Sequence, residues 1–400
     1  MEFNYPEFVG KILAVLAHNG HTGYIVGGSL RDILLGLDPN DWDVTTSALP
    51  ERVCEIFRAA GYSVVPTGIK HGTVTVICNG ESVEVTTFRS DGEYKDSRHP
   101  EKVTFTGDIA HDLSRRDFTV NAIAYNPREG LVDLFCGEDD IRKRLIRCVG
   151  EPEKRFAEDA LRILRAFRFM SKLDFEIDGE TLRGAQKMRN GLKKVSRERI
   201  FAEMSGLLVG KSAGRSLELM EKTGILPVIF EGYGEYLPST QVIDRLSPVL
   251  SLRLAALFLN APVNMRHEWI NSLKMSNELR SQVLKLLETR NVRPEMSLYG
   301  ARRFLVRYGE LSDLAFELLS LTDFSIDEFE PFLHSVQKED FPKSIKELAV
   351  NGGDLMAVGI RSGEELGELL EKLFDAALRD PSLNVREKLL EMTKSHKEFI

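Results

Sequence analysis

The hydrophobic pattern of this chain changes period about a third of the way along, and that change limits the possible folds severely. Up to about residue 135, short apolar runs of strand length alternate with helical patterns; after about Asp140 the strand signals fade and helical periodicity takes over. In the first part, Tyr24-Ile25-Val26 runs into Gly27-Gly28, followed by a helical stretch from Leu30 to Leu35. DWDVTT has strand character, and Pro50 opens a helix over PERVCEIFRAAG. Thr73 to Cys78 and Ser82 to Phe88 flank Asn79-Gly80, a pair that tolerates positive φ at both centres of a tight hairpin turn. Later, the segments 153–172, 179–190, 197–209, 213–223, 241–259, 276–289, 310–322, 364–378 and 385–398 read as helices, punctuated by Pro227, Pro262, Pro294, Pro342 and Gly352-Gly353. The expected fold is an α+β head on a small mixed or antiparallel sheet, followed by all-α bundles.

At 400 residues the chain is long enough for several such units. No stretch approaches the ~18 consecutive apolar residues of a membrane span, and MEFNYPEFVG lacks the basic-then-apolar pattern of a secretory signal. The four cysteines form neither a CxxC pair nor a disulfide framework, which fits a reducing cytoplasm. The net charge of −8 argues against a nucleic-acid partner only as an average: Ile141 to Ile200 holds 17 Lys/Arg against 9 Asp/Glu. A basic segment in an acidic chain is either a phosphate-holding surface or an ordinary solvated helical face.

Three constellations carry chemistry. In Gly27-Gly28-Ser29-Leu30-Arg31-Asp32, two glycines between strand and helix let the backbone approach a ligand. The helix start favours phosphate, and Arg31, one turn in, offers a bidentate clamp. Asp41 and Asp43 follow; on a strand, i and i+2 share a face, and two carboxylates beside a phosphate cradle call for a cation, with Mg²⁺ the hard ion that oxygen ligands favour. The bland alternative is a turn-capping Asp41 and an exposed Asp43. Glu84, alternating with Val83 and Val85, either completes an acidic triad or is the polar side of a half-buried strand.

The second constellation, Asp112 to Ala122, holds Arg115, Arg116, Asp117 and Asn121: either phosphate and ribose contacts or a surface helix start. The third runs from Glu158 to Phe169. Asp159 and Arg162 are one helical turn apart and together present acceptor and donor groups, as reading a base edge requires. Continued in steps of three through Arg165, a continuous helix places Arg168 nearly opposite Asp159, out of reach of a shared ligand. A salt-bridged surface helix is the alternative.

Taken in order, GGSLRD, DWD, VEVTTFR, RRDFTVNAIA, EDALRILRAFRF and VSRERIFAEM resemble the successive motifs of the class II tRNA nucleotidyltransferases, the family of CCA-adding enzymes and related bacterial poly(A) polymerases within the polymerase-beta superfamily. The resemblance is close over about the first 210 residues and resumes weakly at 348–355 and 384–387. It implies a seahorse-like arrangement: a catalytic head (1–138), a neck that recognises the base (139–205), a helical body (206–300) and a tRNA-binding tail (301–400). It also implies Asp41 and Asp43 as catalytic residues holding two Mg²⁺ ions, to which the strand pattern adds Glu84 as the candidate third catalytic carboxylate. Gly28, Arg31 and Arg116 would then contact the nucleotide phosphates, with Asp117 and Asn121 near the ribose. Asp159 and Arg162 would serve as a protein template for C or A, with Arg165 and Arg168 also in the nucleotide site. Arg197, Arg199 and Glu203 match the motif that braces the neck. Implied substrates are CTP, ATP and the acceptor stem and 3′ end of tRNA, with no membrane; monomer and homodimer both stay open.

The polar segment 89–100 resembles the flexible loop of relatives that add the terminal A, so CCA addition is expected, with A-only or poly(A) addition as the alternative. No His-Asp pair of a hydrolytic domain follows residue 150. Ser29 and Ser362 depart from the family pattern, which more often has alanine and proline there. Two other classes are a non-catalytic RNA-binding module, which would lose the paired aspartates, and a small-molecule nucleotidyltransferase, which would not need the basic helices.

Overall fold

A computed structural model describes residues 3–39, 41–91, 103–233, 236 and 240–397. The chain forms two compact units, Met1–Glu235 with His267–Lys274, and Tyr236–Arg266 with Met275–Ile400.

The first unit opens with α1 (Glu7–His18), whose Val9, Ile12, Leu13 and Leu16 form the apolar stripe that an amphipathic helix buries. Then come β1 (Gly23–Val26), α2 (Gly28–Leu34), β2 (Asp43–Thr46), α3 (Pro50–Ala59), β3 (Ser63–Gly68), β4 (Thr73–Cys78), β5 (Glu81–Thr87), β6 (Arg89–Asp91), β7 (Val103–Phe105), α4 (Ile109–Ser114), β8 (Ile123–Asn126) and β9 (Gly130–Asp133). The main sheet has the order β3-β4-β5-β2-β1-β8-β9. It is mixed, because β2 and β5 pair in parallel while every other adjacent pair is antiparallel. The β4–β5 turn is the hairpin read from sequence, with Asn79 at φ 55° and Gly80 at φ 87°. Tyr24 and Val26 of β1 and Ala124 of β8 join Phe88 and Leu113 in a core cluster.

Segment 89–100 departs from the expected loop at its start: β6 pairs with β7, Arg89 opposite Phe105. Residues 92–100 lie outside the described residues.

Helices then dominate the rest of this unit: α5 (Gly137–Arg142), α6 (Pro152–Glu158), α7 (Leu161–Leu173), α8 (Gly179–Met188), α9 (Arg197–Leu208), α10 (Ala213–Lys222) and α11 (Leu226–Ile229). Two strands that sequence periodicity did not register, β10 (Leu145–Ile146) and β11 (Glu176–Ile177), pair in parallel; two residues are too few to show a period.

The expected helix 153–172 is broken. Asp159 adopts φ −147°, ψ 105° between α6 and α7, and its Oδ1 accepts the Leu161 amide at 3.0 Å. A short acidic side chain competes with the helix backbone for such donors, and here it wins. Beyond the break, Ile163, Leu164, Phe167 and Met170 on α7 are at most 1% exposed. At ~1.5–3 kcal/mol per fully buried side chain, they anchor the helix firmly.

The second unit contains α12 (Thr240–Arg245) and α13 (Leu250–Phe258), then α14 (Val263–Ser272), which the two units share. It continues with α15 (Asn277–Leu287), α16 (Leu298–Tyr308), α17 (Ser312–Leu319), α18 (Ile326–Val336), α19 (Gly352–Ala357), α20 (Glu364–Arg379) and α21 (Arg386–Lys397). The expected helix 241–259 divides at Ser247-Pro248, since a residue before proline avoids helical geometry; the Ser247 amide and hydroxyl instead donate to Glu317 at 2.8 and 2.7 Å. Among the described residues no helix is long and apolar enough to cross a membrane.

Candidate active site

The turn from β1 into α2 requires glycine. Gly27 sits at φ 78°, ψ −136°, close to a region that only glycine adopts readily. A Cβ there would lie 3.2 Å from Arg116 Nη1 and 3.8 Å from Asp43 Oδ2. The turn is therefore packed against both a guanidinium and a carboxylate. Ser29 is buried, and its hydroxyl donates to the Val26 carbonyl at 3.2 Å, so the departure from alanine leaves no unmet polar group.

Asp41 and Asp43 are exposed, while Trp42 and Val44 are buried. The alternation read from sequence holds, although the strand itself begins only at Asp43. Both carboxylates line a cleft of about 510 Å³ together with Gly28, Arg31, Arg116, Asp117, Asn121, Asp159, Arg162, Arg165 and Arg168. Glu84 is not in that lining; it is the register partner of Asp43 across the parallel β2–β5 ladder. Crowding by protein atoms comes first, then the neighbouring Glu84 carboxylate; with Asp41 they push the Asp43 pKa up to about 6 against the pull of Arg116. A divalent cation would relieve this repulsion, and hard carboxylate oxygens suit Mg²⁺. Among the described residues no cluster of three or more His, Cys, Asp or Glu side chains forms a closed metal cage. An ion here would rest on two carboxylates and leave positions for substrate oxygens.

The arginines on the opposite wall are held by a continuous polar network. Arg31 is buried, and its Nε and Nη2 both donate to Asp32 Oδ1 at 2.9 and 2.7 Å while Nη1 donates to Asn121 Oδ1 at 2.7 Å. The fork expected to clamp phosphate thus faces Asp32. Arg116 donates to Asp112 Oδ2 at 3.2 Å, and its Nε is buried without a partner. Asp112 also accepts from Arg115; burial pushes its pKa up, but the two guanidiniums outweigh that and hold it below the usual carboxylate range. Asp117 behaves similarly: burial raises its pKa, but Arg165, Asn121 and the Phe118 amide bring it down to about 2. Arg165 Nε lies 2.7 Å from Asp117 Oδ2.

The break at Asp159 corrects the expected position of Arg168. Because Asp159 precedes α7 rather than riding on it, Arg162, Arg165 and Arg168 all reach the cleft that Asp159 lines. Asp159 Oδ2 accepts from Arg199 Nη2 at 2.6 Å. Arg162 donates to Glu158 at 2.5 Å and to the Arg115 carbonyl at 3.2 Å. From α9, Glu203 accepts from Arg168 Nε at 2.5 Å, and Arg197 reaches the Ile229 carbonyl at 2.9 Å.

The cleft also includes Asp32, Leu161, Phe169 and Lys172, which sequence reasoning did not single out. Lys172, four residues after Arg168, extends the basic row of α7 and could have been read from that spacing. Eight Lys/Arg side chains face five Asp in this lining, a balance that favours a polyanion.

Residues 23–147 match the model of the poly A polymerase head domain, 174–237 that of a probable RNA and SrmB-binding site of polymerase A, and 254–393 that of a putative tRNA nucleotidyltransferase domain 2. The chain is 40% identical to the CCA-adding enzyme of Oceanobacillus iheyensis over 281 residues, 69% of each chain. It is 33% identical to that of Ligilactobacillus salivarius over 409 aligned residues, 98% of this chain and 97% of the relative. The solved structure of the Bacillus stearothermophilus CCA-adding enzyme in complex with CTP superposes with a TM-score of 0.83 at 31% identity, covering 98% of this chain and 99% of that one. With its fold, its motif order and nearly its whole length matched, the chain belongs to the family of CCA-adding enzymes and poly(A) polymerases.

Proposed function

We infer that this protein adds or repairs the 3′-terminal CCA of tRNA from CTP and ATP without a nucleic-acid template. The observation that carries this reading is the convergence, in one cleft, of Asp41 and Asp43 with a basic wall and with the Asp159/Arg162 pair. Mg²⁺ ions on Asp41 and Asp43, two in this family's chemistry, would promote the attacking 3′-hydroxyl and offset the charge of the triphosphate.

The chain's own residues do the positioning. Gly27 and Gly28 let the triphosphate approach the backbone, and Arg116, beside Gly27 and Asp43, supplies charge to the phosphates. Asp117 and Asn121 stand where a ribose would be oriented, with Arg31 holding Asn121 and Arg165 holding Asp117. Asp159 and Arg162 present acceptor and donor groups to the base edge, and Arg165 and Arg168 complete that wall. Glu84 acts beside Asp43 by shaping the charge of the metal site. The head (1–138), neck (139–205), body (206–300) and tail (301–400) divide catalysis, base reading and tRNA holding along the chain. Four unpaired thiols suit a cytoplasmic enzyme.

The test is sequencing of products made on tRNA ending before C, after one C and after both. Addition of C, C and A in that order supports the reading. Incorporation of AMP alone would identify the A-only or poly(A) alternative, which the CCA-adding relatives do not favour.

A further inference from the structure

Phe169 lies in the candidate cleft with no role in the scheme above. The residue is 5% exposed and its ring meets three guanidiniums: the Cζ atoms of Arg31, Arg165 and Arg168 lie 5.3, 5.4 and 4.5 Å from the ring centroid. All three are within the ~6 Å over which a cation gains from an aromatic face. Arg31 comes from α2, while the other two come from α7. The ring also packs edge-on against Phe118, with centroids 5.8 Å apart and planes at 84°. Phe118 follows Asp117 directly, so the ring supports the segment leading to Asn121.

Each guanidinium already has a carboxylate partner: Arg31 has Asp32, Arg165 has Asp117 and, at 3.8 Å, Glu203, and Arg168 has Glu203. These pairs neutralise charge but do not tie α2 to α7. The shared ring does so in one contact, and Arg31–Asn121–Asp117–Arg165 closes a hydrogen-bonded arc beside it. Three like charges converge where the ring's negative face compensates part of their repulsion.

We propose that Phe169 is a positioning residue of the nucleotide cleft, whose aromatic ring gathers Arg31, Arg165 and Arg168 and so sets the spacing of α2 and α7 along the basic wall that receives a nucleoside triphosphate. The proposal rests on the nucleotidyltransferase reading above and deepens it. The ring acts through the arginines.

The experiment replaces Phe169 in the full-length protein with pentafluorophenylalanine, which keeps the ring's outline but reverses the charge of its face. Phe169→Leu and Phe169→Tyr are made alongside it. KM and kcat for CTP and ATP are measured on truncated tRNA, with thermal melting of each variant. The expected result is a KM raised about tenfold for both nucleotides in the pentafluoro and Leu variants, with kcat nearly unchanged. Tyr should restore the wild-type KM, and the pentafluoro protein should melt as the wild type does. An unchanged KM in the pentafluoro variant overturns the proposal, as does a Leu variant that melts earlier but keeps its KM, since the ring would then serve packing alone. A wild-type protein that adds neither CMP nor AMP overturns the functional reading and this proposal together; one that adds both separates the two.

Discussion

Replacing Arg199 by alanine removes the clamp on Asp159 without touching the metal site. Arg199 Nη2 lies 2.6 Å from Asp159 Oδ2, and the two side chains are 24% and 15% exposed, so the bond is charge-assisted and partly shielded from water. Hydrogen bonds to charged groups contribute ~1.5–3 kcal/mol. The other oxygen, Oδ1, holds the Leu161 amide at the start of α7, so the carboxylate is fixed at both ends and presents a defined edge to the cleft. Without Arg199 the cap remains but Oδ2 is released. If the full bond energy serves base selection, discrimination falls by about ten- to a hundredfold, at a factor of ten per ~1.4 kcal/mol. The assay is single-nucleotide incorporation on truncated tRNA, comparing kcat/KM for CTP and ATP with that for UTP and GTP. Arg199→Lys restores charge without the planar fork and should recover part of the selectivity. An Arg199→Ala protein that melts normally and keeps its full preference for C and A would refute this reasoning.

Three further outcomes follow from individual contacts. Gly27→Ala places a Cβ in a glycine-only conformation against Arg116, so it should cost ~1–3 kcal/mol in urea unfolding and raise KM for both nucleotides. Asp117→Asn should destabilise the protein by ~2 kcal/mol at neutral pH, because the native carboxylate is held at about 2 against an ordinary value near 3.8. That stabilisation is present above pH ~4 and disappears as pH falls toward ~2, so the urea midpoints of variant and wild type should converge across that window. Glu203→Gln weakens the hold on Arg168 at 2.5 Å, and should raise KM for CTP and ATP more than it lowers the melting temperature.

Features set by local chemistry were legible in the sequence. Asn79-Gly80 announced its hairpin through the backbone freedom of two residues, and Gly27 announced the turn that no side chain fits. The alternation of Asp41 and Asp43 with buried Trp42 and Val44 put both carboxylates on one face. Features set by long-range pairing were not legible. That Glu84 stands beside Asp43 depends on a parallel pairing of β2 with β5, strands that are distant in sequence, and alternation within one strand cannot reveal it. The break at Asp159 was hidden because apolar periodicity on either side continues through it; only the aspartate's capping bond interrupts the helix. Treating that stretch as one helix sent Arg168 away from the cleft it lines. Phe169 was not singled out from the sequence: Arg165 and Arg168 neighbour it along α7, but the third guanidinium, Arg31, reaches it only through the tertiary placement of α2.

The central claim is that Asp41 and Asp43 share divalent cations with the triphosphate of a bound nucleotide. Electron paramagnetic resonance of Mn²⁺ titrated into the protein with a non-hydrolysable CTP analogue tests it directly. The account predicts two bound ions in the wild type, and loss of binding together with loss of transfer in Asp41→Asn and Asp43→Asn, while tRNA binding persists. Undiminished Mn²⁺ binding and continued turnover in either variant would contradict it.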